Sequence, residues 1–524
     1  MTKNEFIPIT ETPYVSELAK DYLLGKDIGI NNPLVTDYEG IFKLAKSKNF
    51  SLENRNILVE VLLNQYKKDS VELNENSQVY RNILDLKESS TFSFTTGQQI
   101  HIFLGPLFFI YKIQSLLRHV KNFNASNNGI KAVPVFWMAS EDHDLNEINY
   151  IKLYGETHTW EAEAGNAVGR ILCKGLPELI DKIEERADKT AENIKLFKLF
   201  RSHYKSDRTL AAATRSLLNE IFGEEGLLIV DPDDKRLKQS FAEISKREIE
   251  EKILFNNYNE QNSIIKKHGF EPRVNAQEIN FFWLENSKRI KLKIKNSKIV
   301  KGDSDEELTL EIILQHIDKL SPNVITRPLY QETILPNILY LGGGAELEYW
   351  LPLQETFQKL GIQFPALIQR DSVLYISNKN FDSFNKIGLK WWQLFQDEKK
   401  LVDLYNELIK DDSHNISNIL NSIQSSIEHL SETLKVKEIK SGLIFKEISD
   451  IQKGMIRLSN QLSDEELKTK AKDPVFARII KIKEKLFDKK QERNDFVVGN
   501  YFVLHHFNLE FEKIEPVLNF NLVD

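Results

Sequence analysis

Val133-Pro-Val-Phe-Trp-Met-Ala139 carries no polar side chain, the pattern of a strand buried on both faces, and Ser140-Glu-Asp-His-Asp144 follows it at once. Thr91-Phe-Ser-Phe-Thr-Thr96 alternates and reads as another strand. It leads through Gly97-Gln98-Gln99 and Gly105-Pro106 into a predicted helix over 107–117, where Pro106 suits the first turn because its missing N–H costs nothing there. Strand, helix and strand of these lengths make a βαβ crossover, so residues 96–99 and 141–144 are expected at one edge of a parallel sheet. Further buried strands are predicted at 226–230, before Asp231-Pro232-Asp233, and at 336–341, before Gly342-Gly343-Gly344-Ala345-Glu346. Another leads from 364–368 to Arg370-Asp371-Ser372.

The remaining spacing is mostly helical. Residues 1–90 read as polar helices, with Ile57, Leu58, Val61, Leu62 and Tyr66 on one face, and they offer no chemistry. Residues 150–225 read as an insertion, with a β-like piece at 151–163 and helices near 176–190 and 196–222. Residues 235–268 are helical and charged, the pattern of a solvated face. In Arg289-Ile-Lys-Leu-Lys-Ile-Lys295 strict alternation gives one packed and one basic face, with Asn296-Ser297 as a turn. A solvated sheet edge protected by lysine is the favoured reading, and an anion-binding strand is the alternative. Beyond 385, Ile416, Ile419, Ile423, Ile427, Leu430 and Leu434, then Ile444, Ile448, Ile451, Met455, Leu458 and Leu462, step by three and four residues around a turn at Ser441-Gly442. This predicts a long antiparallel coiled-coil arm, of the kind that dimerises or docks. The expected organisation is an α/β core over 1–384 with inserted segments at about 150–225 and 270–320, the arm over 385–495, and a segment at 496–524 that returns to the core.

Composition narrows the classes. A net charge of -7 gives no reason to expect nucleic acid or an anionic membrane as partner. The single cysteine, Cys173, excludes an internal disulfide framework and any multi-cysteine zinc site, and fits a reducing cytosol. The N-terminus shows no apolar signal region and no run approaches the roughly 18 residues of a membrane span, so a cytoplasmic protein is expected.

The candidate chemistry lies at the strand ends. Glu141, Asp142, His143 and Asp144 could bind Mg²⁺ beside a nucleotide, supply a general base to an attacking amine, or hydrogen-bond an amine or hydroxyl. Arg327 and Lys112 are cationic candidates for phosphate or carboxylate. Gln98, Gln99 and Gln331 are neutral donors. The three glycines would let a backbone approach a ligand and aim N–H groups at an anion. They match neither G-x-G-x-x-G nor a P-loop, and a structural turn remains an equal reading.

Thr96-Gly-Gln-Gln99, Gly105-Pro-Leu107, Tyr111-Lys-Ile113, Val133-Pro-Val-Phe-Trp137, Ser140-Glu-Asp-His-Asp144 and Glu147-Ile148 resemble the signatures of the bacillithiol biosynthesis cysteine-adding enzymes, a family of cysteine ligases. Residues 323–332, Gly343-Gly-Ala-Glu346 with Tyr349-Trp350, Arg370 with Ser372, and Gln491-Glu-Arg493 are similar to the same family, while the first 90 residues match only loosely. The resemblance implies a Rossmann-like parallel-sheet core and a homodimer through the coiled coil. It also implies addition of L-cysteine to glucosaminyl-malate, with ATP expected to activate the carboxyl; whether Mg²⁺ accompanies it stays open. No H-x-G-H or K-M-S-K-S motif is present, so adenylate and acyl phosphate both stay open. Carried onto this chain, the resemblance makes Glu141, Asp142, His143 and Asp144 catalytic. Thr96, Gly97, Gln98, Gln99, Lys112, Glu147, Arg327, Gln331, Glu332 and Trp350 would bind substrate, and Gly343, Gly344, Glu346, Tyr349, Arg370 and Ser372 would bind nucleotide. No protein metal ligand is assigned. A ligase or nucleotidylyltransferase acting on another amine, and a non-catalytic nucleotide-binding scaffold, are the alternatives.

Overall fold

The runs without polar side chains assemble into one sheet. The structure, a computed structural model, describes residues 4–486 and 517–523 apart from 13–14, 32–33, 36, 107, 127–128, 154–155, 164–166, 188, 287, 410–413 and 437–440. Strands β1 (Thr91–Gln98), β2 (Lys131–Met138), β3 (Leu228–Val230), β4 (Asn337–Gly342) and β5 (Ala366–Gln369) lie in the order β5-β4-β1-β2-β3, every neighbouring pair parallel. The chain moves outward from β1 to β3, then returns beside β1 to build the other half. This is the Rossmann-like arrangement, and the reversal between β1 and β4 opens a crevice beyond their carboxyl ends.

The alternation in β1 does not mark a solvated face. Ser93, Thr95 and Thr96 are buried, and their hydroxyls are satisfied sideways. Ser93 and Thr95 donate to Asn337 Oδ1 (3.2 and 2.7 Å), and Thr96 donates to the Leu341 carbonyl (2.7 Å). A polar residue buried with its partner in the next strand costs little and fixes the register of β1 against β4.

The N-terminal helices clamp the sheet with polar contacts. Arg55 donates to the carbonyls of Leu86 and Thr91 (2.8 Å each), Gln65 donates to the Asp231 carbonyl (2.7 Å), and the buried Lys48 ammonium lies 3.6 Å from the Glu332 carboxylate. The segment 235–268 is helical as expected but is not merely a solvated face. Lys238 and Glu248 are both buried, the first against Glu141 and Asp233, the second accepting the Leu254 N–H at 2.9 Å. Cys173 is buried in the same core.

The insertion forms a hairpin of Tyr150–Leu153 with Glu156–Thr159 and helices Leu176–Arg186, Ala191–His203 and Leu210–Phe222. A second sheet is antiparallel, with Lys288–Lys295 inside it, between Phe281–Glu285 and Lys298–Lys301. The expected solvated edge is therefore an interior strand. Asn296 and Ser297 do form its turn, both with positive φ (49° and 62°), as two-residue hairpin turns require.

The chain divides into two compact units between Val373 and Leu374, earlier than the boundary expected at 384. The cause is strand Ser372–Ser377, which joins a three-stranded sheet with Asn4–Pro8 and Val517–Val523. In the second unit, helices His414–Val436 and Gly442–Lys470 pack on each other, and Glu398–Ile409 packs on the latter. Much of the apolar seam stays exposed, including Ile419, Ile423, Leu430, Ile451 and Leu458, so these helices do not bury it between themselves as the two-stranded arm required. Of the predicted return segment only residues 517–523 are described; 491–493 lie outside the described residues. Among the described residues no helix is long and apolar enough to cross a membrane.

Candidate active site

At the carboxyl ends of β1, β2 and β4 lies a cavity of about 760 Å³. Gly97, Gln98 and Gln99 enter it from β1, Glu141, Asp142 and Glu147 from the segment after β2, and Arg327, Tyr340, Glu346 and Tyr349 from the β4 side. Arg289 and Lys291, on the basic face of the second sheet, complete it together with Phe281 and Phe282.

On the β2 side, the Gln99 amide nitrogen donates to both Asp142 Oδ2 (2.8 Å) and Glu147 Oε2 (2.5 Å), holding two carboxylates side by side that would otherwise repel. Arg289 stacks over the Phe282 ring at 4.1 Å. Its guanidinium donates to the Pro322 carbonyl (2.8 Å) and the Ser321 hydroxyl (3.1 Å), with Nη1 3.2 Å from His143 Nδ1 and 3.5 Å from Asp142 Oδ1. Burial works against the Asp142 charge. Hydrogen bonds from His143 and Gln99 and the Arg289 charge outweigh it, so the carboxyl is held well below its usual range.

Glu141, one residue earlier, has the opposite environment. It is buried, and burial pushes its pKa up, with Asp233 adding to the push and the Lys238 ammonium at 2.6 Å opposing it. Lys238 also lies 3.2 Å from Asp233, whose carboxylate is gripped by both Arg170 Nε and Nη2 (2.6 and 2.8 Å). Adjacent carboxylates pushed apart in this way are suited to different roles, one a fixed anion and the other a proton acceptor.

On the β4 side, Arg327 donates to Gln331 Oε1 (3.0 Å) and to the hydroxyls of Tyr349 (2.8 Å) and Tyr340 (3.3 Å). Both phenols are kept neutral by burial, which raises their pKa values. Its direct hydrogen-bond partners are all neutral, while the Glu346 carboxylate, bonded to the Tyr340 hydroxyl, favours its charge from beyond that phenol.

Several predicted site residues stand elsewhere. Thr96, Gln331 and Glu332 are buried supports. Gln331 donates to Glu332, and Glu332 also accepts from Asn337 Nδ2 (2.7 Å). Trp350 is buried behind the wall, stacked on Tyr340 at 4.3 Å. Gly343 and Gly344 open a helix of seven residues, and the Gly343 N–H is already taken by Glu346 Oε1 (3.0 Å), so this turn does not aim that group at an anion. The Arg370 guanidinium bonds the Asp371 carbonyl (3.1 Å) and the Ser372 hydroxyl (3.3 Å), outside the cavity lining. Lys112 is buried and does not line the cavity either. His143 and Asp144 are exposed beyond it.

The sequence profile described as "Bacillithiol biosynthesis BshC, N-terminal Rossmann-like domain" matches residues 4–371. The chain belongs to the BshC family. The match includes the first 90 residues, which carry little of the motif pattern. Among relatives with the printed name "Putative cysteine ligase BshC", that of Flavobacterium psychrophilum is 33% identical over 502 residues, covering 93% of this chain and 92% of its own. That of Flavobacterium johnsoniae is 36% identical over 400 residues, 74% of each chain, and that of Bacillus cytotoxicus is 26% identical over 422 residues, 74% of this chain and 77% of its own. The family is one of ligases, and this chain is an enzyme of that class.

Within this BshC chain, Arg289, Lys238 and Tyr340 are site residues that motif reading missed. The alternating lysines held the signal for Arg289, since that strand's basic face turns toward the cavity. Lys238 left none, because a charged helix looks alike whether its lysine meets water or a buried carboxylate.

Proposed function

We propose that the chain joins the carboxyl of L-cysteine to the amine of glucosaminyl-malate, the last step of bacillithiol synthesis, with ATP activating the carboxyl. The observation that carries this reading is a cavity, in a BshC-family enzyme, that holds paired carboxylates and an arginine whose direct hydrogen-bond partners are neutral. Asp142 and Glu147, spanned by Gln99, suit an ammonium or amine. Arg327 suits an oxyanion of the same reaction. The amine nitrogen attacks the activated carboxyl carbon, the C–N bond forms, and the activating group leaves with its bonding electrons, as AMP from an adenylate or as phosphate from an acyl phosphate. The proton lost by the amine passes to a carboxylate, a role we give to Glu141 because its surroundings favour the protonated form. Among the described residues no cluster of three metal-ligating side chains is present, so Mg²⁺ enters this scheme with the nucleotide phosphates. We place the reaction in the cytoplasm and extend the proposal to a homodimer through the exposed apolar seam of residues 416–462.

The test is a mass-spectrometric assay of purified protein with cysteine, glucosaminyl-malate and ATP–Mg²⁺, following the thiol product beside AMP and ADP. Product with AMP supports an adenylate, and product with ADP an acyl phosphate. Bound nucleotide with no product under any condition would overturn the ligase assignment.

A further inference from the structure

Lys112 is fully inside the protein, 1% exposed, on helix Phe108–Ala125. A buried ammonium without partners would cost several kcal/mol, and here each N–H has one. The ammonium donates to the Gly97 carbonyl at 2.5 Å, reaches Gln98 Oε1 at 3.4 Å, and forms an ion pair with the Glu346 carboxylate. Gly97 and Gln98 end β1, and Glu346 lies in the helix after β4. The ammonium therefore fastens the two strand ends that flank the switch point.

The contacts continue outward from Glu346. Its Oε1 also accepts the Gly343 N–H, and its Oε2 accepts the Tyr340 hydroxyl at 2.5 Å. That phenol oxygen in turn accepts from Arg327, which lines the cavity. We propose that Lys112 is a positioning residue, which never touches substrate but, through Glu346 and Tyr340, fixes the Arg327 guanidinium at the cavity wall. This rests on the ligase reading for its kinetic test and, for both of its tests, on Arg327 meeting a carboxylate of the malate group.

The charges acting on Lys112 make the role measurable. Burial lowers its pKa, the Glu346 carboxylate resists, and the guanidinium groups of Arg370 and Arg327 lower it further, to about 8. Losing the proton abolishes the ion pair and one donor. Activity should therefore fall above a pH near 8, with the KM for glucosaminyl-malate rising more than kcat falls. The substrate thiol ionises in the same range, so the displacement of this limb in variants is the informative quantity. Lys112→Met should remove this limb and raise KM about tenfold or more at pH 7, as expected for a lost charge-assisted contact. Glu346→Gln should move the limb to lower pH, because the carboxylate is what keeps the proton on the buried amine. It also serves as the second variant should Lys112→Met fail to fold. Wild-type KM and an unmoved limb in the folded variants would reduce Lys112 to a structural residue and overturn the proposal.

If wild-type protein makes no product, the ligase reading fails and the binding test decides. L-Malate should raise the melting temperature of the wild type, and Lys112→Met and Arg327→Met should each diminish that rise. The double variant should lose no more than Arg327→Met alone, the non-additivity of two residues acting through one contact. A full malate response in Lys112→Met, or none in the folded wild type, overturns the proposal.

Discussion

Burial acts alike on Glu141 and Glu248, but only Glu141 has an ammonium at its side. Burial raises the pKa of Glu248 to about 7, only partly offset by hydrogen bonds from the Leu254 and Ile253 N–H groups and from Asn280. In the unfolded chain the same group titrates near 4.5. Between those values the folded state holds more protons than the unfolded state, so stability falls as pH rises from about 4.5 through 7. Glutamine keeps the acceptor and removes the charge. Glu248→Gln should leave stability nearly unchanged at pH 4 and raise it at pH 8 by on the order of 3 kcal/mol, about 1.4 per pH unit, read by urea denaturation at both pH values. An equal effect at both would show that the carboxyl is not the titrating group. These contrasts were not legible in the sequence. Residues 141–144 stand out as a polar cluster after an apolar run, but which of them faces the cavity, and which is countered by lysine, depends on Asp233, Lys238 and Arg289, remote in the chain.

At the scale of elements, strands were the most legible. A run without polar side chains marks β3 and most of β2 and β4 directly, whereas β1, although read as a strand, buries Ser93 and Thr95 against Asn337, a partner no local pattern could name. The strand 288–295 misleads for the converse reason, since its lysines face outward and toward the cavity while its backbone is paired on both sides. The N-terminal helices gave no motif, yet they secure the β4 side through Lys48 and Glu332. Replacing Lys48 with methionine would leave Glu332 charged and buried with amide partners only, and loss of one partner of a buried pair costs about 3–5 kcal/mol. Lys48→Met should therefore lower the urea midpoint strongly. Lys48→Met combined with Glu332→Gln should recover most of the loss, and no recovery would mean that the ion pair is not the source.

For the whole molecule, the reversal in strand order decides where ligands meet. It lies where two halves of the sheet are built outward in opposite directions, so loops from distant parts of the chain converge there without any one motif containing them. The helical unit poses a different question, because apolar residues at Ile419, Ile423, Leu430, Ile451 and Leu458 remain exposed. If the proposed homodimer uses this seam, sedimentation velocity should give a dimer that Ile423→Glu with Ile451→Glu converts to a folded monomer. A dimer unaffected by both changes would place the contact elsewhere.

Cys173 is the only cysteine in the chain, and burial pushes its thiol up to about 12. Disulfide exchange proceeds through the thiolate and needs access to it, and this sulfur offers neither. Under the proposed ligation of cysteine, the enzyme would have no accessible sulfhydryl of its own to be captured by cystine or by an oxidised product. When the surrounding thiol pool is oxidised, synthesis would be limited by the supply of reduced cysteine while the catalyst itself stays unmodified.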